Sequence, residues 1–437
     1  MSSKVRLKPM LKADIASTSR IESEVSQATA ALLAKWLKHA ASIESDVVQV
    51  RRHLHQNPEL SFEEVATANF VYMELLSAKI FDIDRNVGDG YGIVARVHGA
   101  KPGPTIALRA DMDALPIREE TDLPFASENT GVMHACGHDI HTATLLGVAQ
   151  VIQAHRDEFA GTVVFIFQHA EEKKPGGAKA IVDAGYLAGV DAVFGLHIDP
   201  SKEAGTVGYS LGYGSAASDA FEIKIQGRGG HASSPHTAID SVVIAAETIA
   251  NLQTLVSRVS NPIEPLVVTV AGVDAGMGAP NIIADTATIV GTVRSSSPEG
   301  RATIKDQFIQ IAEMTAAMHG GSASVDYEEG YPAIQNTASI VTDLVAAIDY
   351  SAVFTEVIEN TSATGAMMNG EDFAYYLEDT PGAFFTVGCD FLEKDKQGQA
   401  SYPLHNSKFV ANEACILNAM SLFLVILSQY LKVVPHD

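Results

Sequence analysis

Residues 162–168 read T-V-V-F-I-F-Q, and H-A-E-E follows at once, closing on the adjacent carboxylates Glu171 and Glu172. A continuous apolar run of this kind suits a strand buried on both faces, the condition of a parallel sheet covered by helices. Ending such a strand on two carboxylates is costly unless a cation lies opposite. One carboxylate can bind a metal while its neighbour serves as general base. The alternative is a pair of solvated loop glutamates.

The flanking sequence repeats the pattern. Residues 92–97, 105–109 and 192–198 read as strands, and 142–159 and 176–184 as helices. Strands alternating with helices predict a mixed, mostly parallel α/β sheet sandwiched by helices. From residue 220 the order changes. Strands at 220–226, 266–271, 287–294 and 323–327 and helices at 238–256 and 298–318 give β-α-β-β-α-β, a ferredoxin-like α+β unit. After Pro332 the earlier alternation returns, with helices at 337–349, 371–377 and 411–431 and strands at 354–358 and 383–387. The expected organisation is an α/β domain at 1–217 and 333–437 with a small domain inserted at 218–332. Residues 1–40 form an N-terminal extension: a loose arm to about residue 20, then a helix at 22–56.

Of 437 residues, 30 are Lys or Arg and 53 are Asp or Glu, a formal net charge of −23. That balance excludes a nucleic-acid binder and docking on anionic membrane. Three cysteines build no disulfide framework and suit a reducing compartment. No signal-peptide pattern opens the chain, and the most apolar stretch, 414–427, has the length of a core helix. The expected location is cytoplasmic.

Four further motifs carry chemistry. In M-H-A-C-G-H-D-I-H, Cys136 and His138 stand close enough to share a metal, though a buried cysteine beside a helix cap reads the same. In R-A-D-M-D-A-L-P, Asp111 and Asp113 follow a buried strand, where open α/β sheets bind ligands. His197 in F-G-L-H-I and His405 in P-L-H-N are each ambiguous alone. In the inserted segment, G-G-H-A-S-S-P-H presents His231, the G-T-V-R strand ends on Arg294, and Asn281 lies in a glycine-rich loop. G-Y-S-L-G around Ser210 matches a nucleophile elbow, but no helix is expected after it.

In this order, with R-R-H-L-H-x-x-P-E-L at 51–60 and G-E-D-F at 370–373, the motifs resemble the clan MH dinuclear metallopeptidase family of aminoacylases, hippurate hydrolases and auxin–amino-acid hydrolases. The resemblance covers residue 48 onward and implies a zinc-aminopeptidase-like fold with an inserted lid and dimerisation domain. It implies a divalent transition metal, Zn or Mn and up to two ions per subunit, on Cys136, His138, Glu172, His197 and His405. Many relatives have a bridging Asp at the position of Cys136. Glu171 takes the role of general acid/base and Asp113 orients a ligand. His231 reaches a partner subunit's site, and Asn281 and Arg294 hold the polar end of a substrate. His169 departs from the family's usual Pro and could contact metal or substrate.

The expected activity is hydrolysis of a C–N bond of a small N-acyl amino acid, with Glu171 activating a metal-bridging water. The expected partners are a small carboxylate-bearing substrate and a second copy of the chain, with no nucleic acid and no membrane. Hydrolytic removal of an amino group from a small carboxylate is the alternative on the same scaffold. A serine hydrolase using Ser210 and a metal-dependent binding protein without turnover are more distant readings.

Overall fold

The computed structural model describes residues 11–276, 278–360, 368–391 and 402–434, with side chains described from residue 27. In chain order the strands are β1 (Asp82–Val87), β2 (Gly92–His98), β3 (Lys101–Asp111), β4 (Phe159–Gln168), β5 (Ala192–Glu203) and β6 (Thr206–Tyr209). Then come β7 (Ala217–Gln226), β8 (Gly230–His231), β9 (Leu266–Ala275), β10 (Ile282–Ile283), β11 (Thr286–Ser295) and β12 (Ser322–Glu328). The last are β13 (Glu356–Glu359), β14 (Gly382–Asp390) and β15 (Lys432–Val433).

The central sheet has the order β1-β2-β4-β3-β5-β14-β6-β13, with β15 paired to β4. Its middle is parallel: β3 runs with β4 and β5, and β5 with β14. The apolar run of β4 explains this centre. Val163, Phe165 and Phe167 face one buried cluster, and Val164 and Ile166 face another. The helices are α1 (Leu11–Gln56), α2 (Val65–Ser77), α3 (His138–Ala154), α4 (Ala178–Asp183), α5 (Ser241–Thr254), α6 (Pro298–Met318), α7 (Ala338–Tyr350), α8 (Ala374–Asp379) and α9 (Ala414–Tyr430). Against the first cluster pack α1, α3 and α9, through Trp36, Ile140 and Met420 among others. Against the second lie the short helices Ala178–Asp183 and Ala374–Asp379, through Ile181 and Tyr376. Each fully buried side chain of this kind stabilises the fold by about 1.5–3 kcal/mol.

The second sheet has the order β12-β7-β11-β9 and is antiparallel throughout, the arrangement of a ferredoxin-like unit. Helices Ser241–Thr254 and Pro298–Met318 cover one face, burying Ile244, Leu252 and Phe308 against Phe221, Ile223 and Ile225. The first of these continues through a π turn to Val259, and residues 241–259 together reach the length and hydropathy of a membrane span. These residues overlap the helix expected at 238–256, where the sequence pattern predicts no membrane span. Their inner positions lie in this core, while Val242, Val243 and Val256 are exposed.

Several boundaries differ from expectation. The first helix begins at Leu11, earlier than residue 22, and residues 1–10 lie outside the described part. The helix expected at 142–159 runs from His138 to Ala154, because β4 already begins at Phe159. Strand β1 was not foreseen: D-I-D-R-N-V is a mostly exposed edge strand, held by pairing with β2.

The register brings the chemistry to one place. Asp111 at the end of β3 lies opposite Gln168 at the end of β4, and His197 in β5 opposite Thr386 in β14. The H-A-E-E corner, the R-A-D-M-D motif and His197 therefore share the carboxyl edge of the parallel strands, where ligands bind in such sheets.

Candidate metal centre and active site

Cys136 and His138 are placed by the glycine between them. Gly137 caps α3 with φ +93°, a left-handed conformation, and a Cβ there would meet Ile198 Cδ1 at 2.1 Å. The turn sets Cys136 Sγ 3.3 Å from His197 Nε2 and 3.3 Å from His405 Nε2. His405 is held by its own N–H, which donates to the Ala135 carbonyl at 2.8 Å. Its imidazole Nε2 lies 3.2 Å from Glu172 Oε1. His138 Nε2 lies 3.9 Å from Glu172, 4.0 Å from Glu171 and 3.8 Å from Asp111. The structure thus brings Cys136, His138, Glu171, Glu172, His197 and His405 into one cluster.

The second nitrogens of the rings decide their chemistry. His197 Nδ1 donates to the Ile198 carbonyl at 2.7 Å, leaving Nε2 as the lone-pair nitrogen facing Cys136. His138 Nδ1 lies 3.0 Å from the Asp113 carbonyl and 3.2 Å from its carboxylate. Asp113 also accepts from Ser61 Oγ at 2.6 Å and from the Glu172 N–H at 3.0 Å. It therefore fixes both the ring of His138 and the backbone of Glu172. His138 Nε2 is buried without any hydrogen-bond partner. Buried polar atoms are rarely left so. A thiol, imidazoles and carboxylates converging on one orphaned nitrogen fit a divalent transition metal.

A second layer of charge lies beneath. Asp111 bonds His141 Nδ1 at 2.7 Å, and His141 Nε2 accepts the Ile198 N–H at 3.0 Å. Arg109, 1% exposed, binds Asp111, Glu371 and Asp372 at 2.5, 3.1 and 2.8 Å. Burial pushes the Glu171 carboxyl well above the usual range, and Glu371, Glu172, Asp372 and Asp113 add to the shift. Burial likewise raises the Cys136 thiol, with Glu172 and Glu171 contributing. Both groups therefore hold their protons more tightly than they would in water.

Residues 107–429 match peptidase family M20/M25/M40. The chain belongs to this family. It is 41% identical to an N-acetyl-L-cysteine deacetylase of Bacillus subtilis over 87% of this chain and 86% of that protein. It is 45% identical to an N-acyl-L-amino acid amidohydrolase of Geobacillus stearothermophilus over 67% of this chain and 79% of that one. Among solved structures it superposes on the YXEP protein of Bacillus subtilis, a dinuclear metal binding peptidase of the M20 family. The TM-score is 0.76 at 34% identity, covering 89% of this chain and 98% of the other. As an M20 member the chain is a hydrolytic enzyme acting on C–N bonds.

The remaining predicted residues of this M20 chain lie elsewhere. His169 has no exposed surface, and its ring packs on Phe62 and on the backbones of Gly90, Gly92 and Gly177. A Cβ on Gly90 would lie 2.2 Å from its Nε2, so the glycines of G-D-G-Y-G serve to admit this ring. Both of its ring nitrogens are buried without a hydrogen-bond partner, and no hydrogen bond or ion pair among the described residues joins them to the metal-ligand cluster. His231 and Asn281 are exposed neighbours, with the Ala232 N–H donating to the Asn281 carbonyl at 3.1 Å. Arg294 is half-buried on β11, and its Nη1 is buried without a partner. No hydrogen bond or ion pair among the described residues joins these three to the cluster. Ser210 is buried and leads into loop and then β7, with no helix after it, so the elbow geometry is absent.

Sequence reasoning missed Ser61, Glu64, Arg109 and Tyr331. Arg109 stood in view in R-A-D-M-D, and Glu371 and Asp372 in G-E-D-F, but nothing in the sequence paired them.

Proposed function

We propose that the chain cleaves the amide bond of small N-acyl amino acids, with Glu171 as general base and then general acid. The observation that carries the reading is the placement of Glu171. It is buried, its proton affinity is raised, and it stands 4.0 Å from His138 Nε2 beside the convergent ligand set. Cys136, His138, Glu172, His197 and His405 would hold up to two divalent ions, Zn or Mn. When bound, these supply Lewis acidity toward the attacking water and the scissile carbonyl.

The chain's own groups do the rest. Glu171 takes a proton from the attacking water and returns it to the departing amine nitrogen. Asp113 keeps His138 in one tautomer and orientation. Arg294, with a buried N–H that lacks an acceptor, suits a substrate carboxylate, and Asn281 a neighbouring polar group. His231 would stabilise the oxyanion in a partner's site. A homodimer through the inserted unit is supported by exposed Val242, Val243, Val267 and Val273. A reducing, cytoplasmic setting suits a free Cys136, since an oxidised thiol cannot ligate metal.

The test is an N-acyl amino acid panel run with and without chelator, beside metal analysis and a Glu171→Gln variant. Release of free amino acid that is lost on chelation, and nearly lost in a metal-loaded Glu171→Gln protein, is expected. Turnover by that variant near the wild-type rate would reject Glu171 as the base. Release of ammonia alone from amino-bearing carboxylates would reject the substrate class.

A further inference from the structure

The inserted unit joins the catalytic layers by two chain segments that run side by side. The Ser218 N–H donates to the Tyr331 carbonyl at 2.9 Å, and the Gly330 N–H to Asp219 Oδ1 at 3.1 Å. Asp219, 1% exposed, also receives Arg301 Nε at 3.1 Å and the Tyr327 hydroxyl at 2.9 Å. Arg301 Nη2 in turn donates to the Gly330 carbonyl at 2.8 Å. These bonds tie the crossing into a knot belonging to the inserted unit.

From that knot one side chain reaches the active site. The Tyr331 hydroxyl donates to the backbone carbonyl of Glu171 at 2.8 Å, and the residue is 7% exposed. The loop after Glu172 is shaped around it. Gly176 has φ +80°, and a Cβ there would lie 3.0 Å from the Tyr331 hydroxyl and 2.5 Å from Asp372 Oδ2. Burial, with Asp372 and Glu171 beside it, pushes the phenol pKa up, so the hydroxyl remains a donor. On the other side of Glu171, Ala170 holds the left-handed φ of +52°, unusual for alanine, and its N–H donates to Glu64 Oε1 at 2.7 Å. The peptide groups around Glu171 are thus gripped from both ends, and one grip comes from the crossing.

We propose that Tyr331 is a positioning residue that couples the orientation of the inserted unit to the placement of the Glu171 carboxylate. A rotation about the Ser218–Tyr331 crossing carries the phenol with it, and the Glu171 carbonyl must follow or lose its donor. Closure of the insert over a substrate would then set the base in the same movement. The proposal rests on the reading of Glu171 as the base.

The test uses the metal-loaded full chain and the variant Tyr331→Phe, which removes only the hydroxyl. Loss of one buried donor predicts a fall of about tenfold in both kcat and kcat/KM, with KM and metal content unchanged. Hydrogen–deuterium exchange gives the second readout. In the wild type, a product amino acid should slow exchange in residues 169–177, and in the variant that response should be lost. Wild-type kcat together with a wild-type exchange response would overturn the coupling. If Tyr331→Phe does not fold, Arg301→Gln loosens the knot without touching the site, and unchanged kcat and exchange there would overturn it equally. Failure of the underlying reading looks different: an active Glu171→Gln removes the base assignment whatever Tyr331 does.

Discussion

Cys136 Sγ lies 3.3 Å from His405 Nε2, so a residue just before α3 meets one in a loop 269 positions later. His197 approaches the same sulfur at 3.3 Å from β5. Burial and two glutamates hold the thiol in its protonated form, so metal uptake must displace a proton. Metal affinity should therefore rise with pH. Cys136→Ala should lose bound metal and activity, whereas Cys136→Asp, which keeps an anionic ligand, should retain both. Metal content of the purified proteins, and competition with a chelator at two pH values, give the answer. Full metal occupancy in Cys136→Ala would remove the thiol from the ligand set.

Asp113 holds His138 and the backbone of Glu172 together with Ser61. Groups that orient a ligand in this way typically contribute about 10–100-fold in metal affinity or activity. Asp113→Ala should weaken metal binding by that factor, and Ser61→Ala by less, since Asp113 keeps its other partners. Chelator competition on both variants measures the difference. Equal, wild-type affinities would show that His138 needs no such support.

Cys136, His138, Glu171 and Glu172 were legible as candidates because they sit in short local patterns, whereas His197 and His405, ambiguous alone, entered only through the family resemblance. Cys136, Gly137 and His138 adjoin, Glu171 and Glu172 adjoin, and the β4 run announces its own burial on both faces. What the sequence concealed depends on distance along the chain. Tyr331 meets Glu171 across 160 positions, Glu64 meets Ala170 across 106, and Arg109 meets Asp372 across 263. No periodicity records such pairings; they arise from the sheet register and the return of the chain through the insert. His169 is a mixed case. Its neighbours along the chain suggested chemistry, while its ring is absorbed by glycines near position 90.

Glu64 has no exposed surface, and burial together with Asp113 raises its carboxyl to about 7, against an ordinary value of 4.5. The folded protein therefore binds this proton more tightly than the unfolded chain. Where the folded state holds more protons, stability falls as pH rises, here between about 4.5 and 7. The full effect is of order 3 kcal/mol. Glu64→Gln mimics the protonated form and should remove this slope. Denaturant unfolding of both metal-free proteins at pH 5 and pH 8 should show the variant gaining on the wild type at the higher pH. A constant difference between them would mean that Glu64 does not titrate in this window.

Arg109 is set among Asp111, Glu371 and Asp372 beneath the centre, bonding each within 3.1 Å. Burial raises the Asp372 carboxyl, Arg109 opposes the shift, and Glu371 reinforces it. Arg109→Met keeps the volume and removes the charge. Breaking a buried ion network at one member typically costs about 3–5 kcal/mol, because the partners remain buried without compensation. Their proton affinities must then rise further, so protonation offsets part of the loss at low pH. The stability deficit of Arg109→Met should accordingly be smaller at pH 5 than at pH 8. Denaturant midpoints of the metal-free proteins at the two pH values decide it, and a deficit that grows toward acid would show that the carboxylates do not depend on Arg109 for their charge.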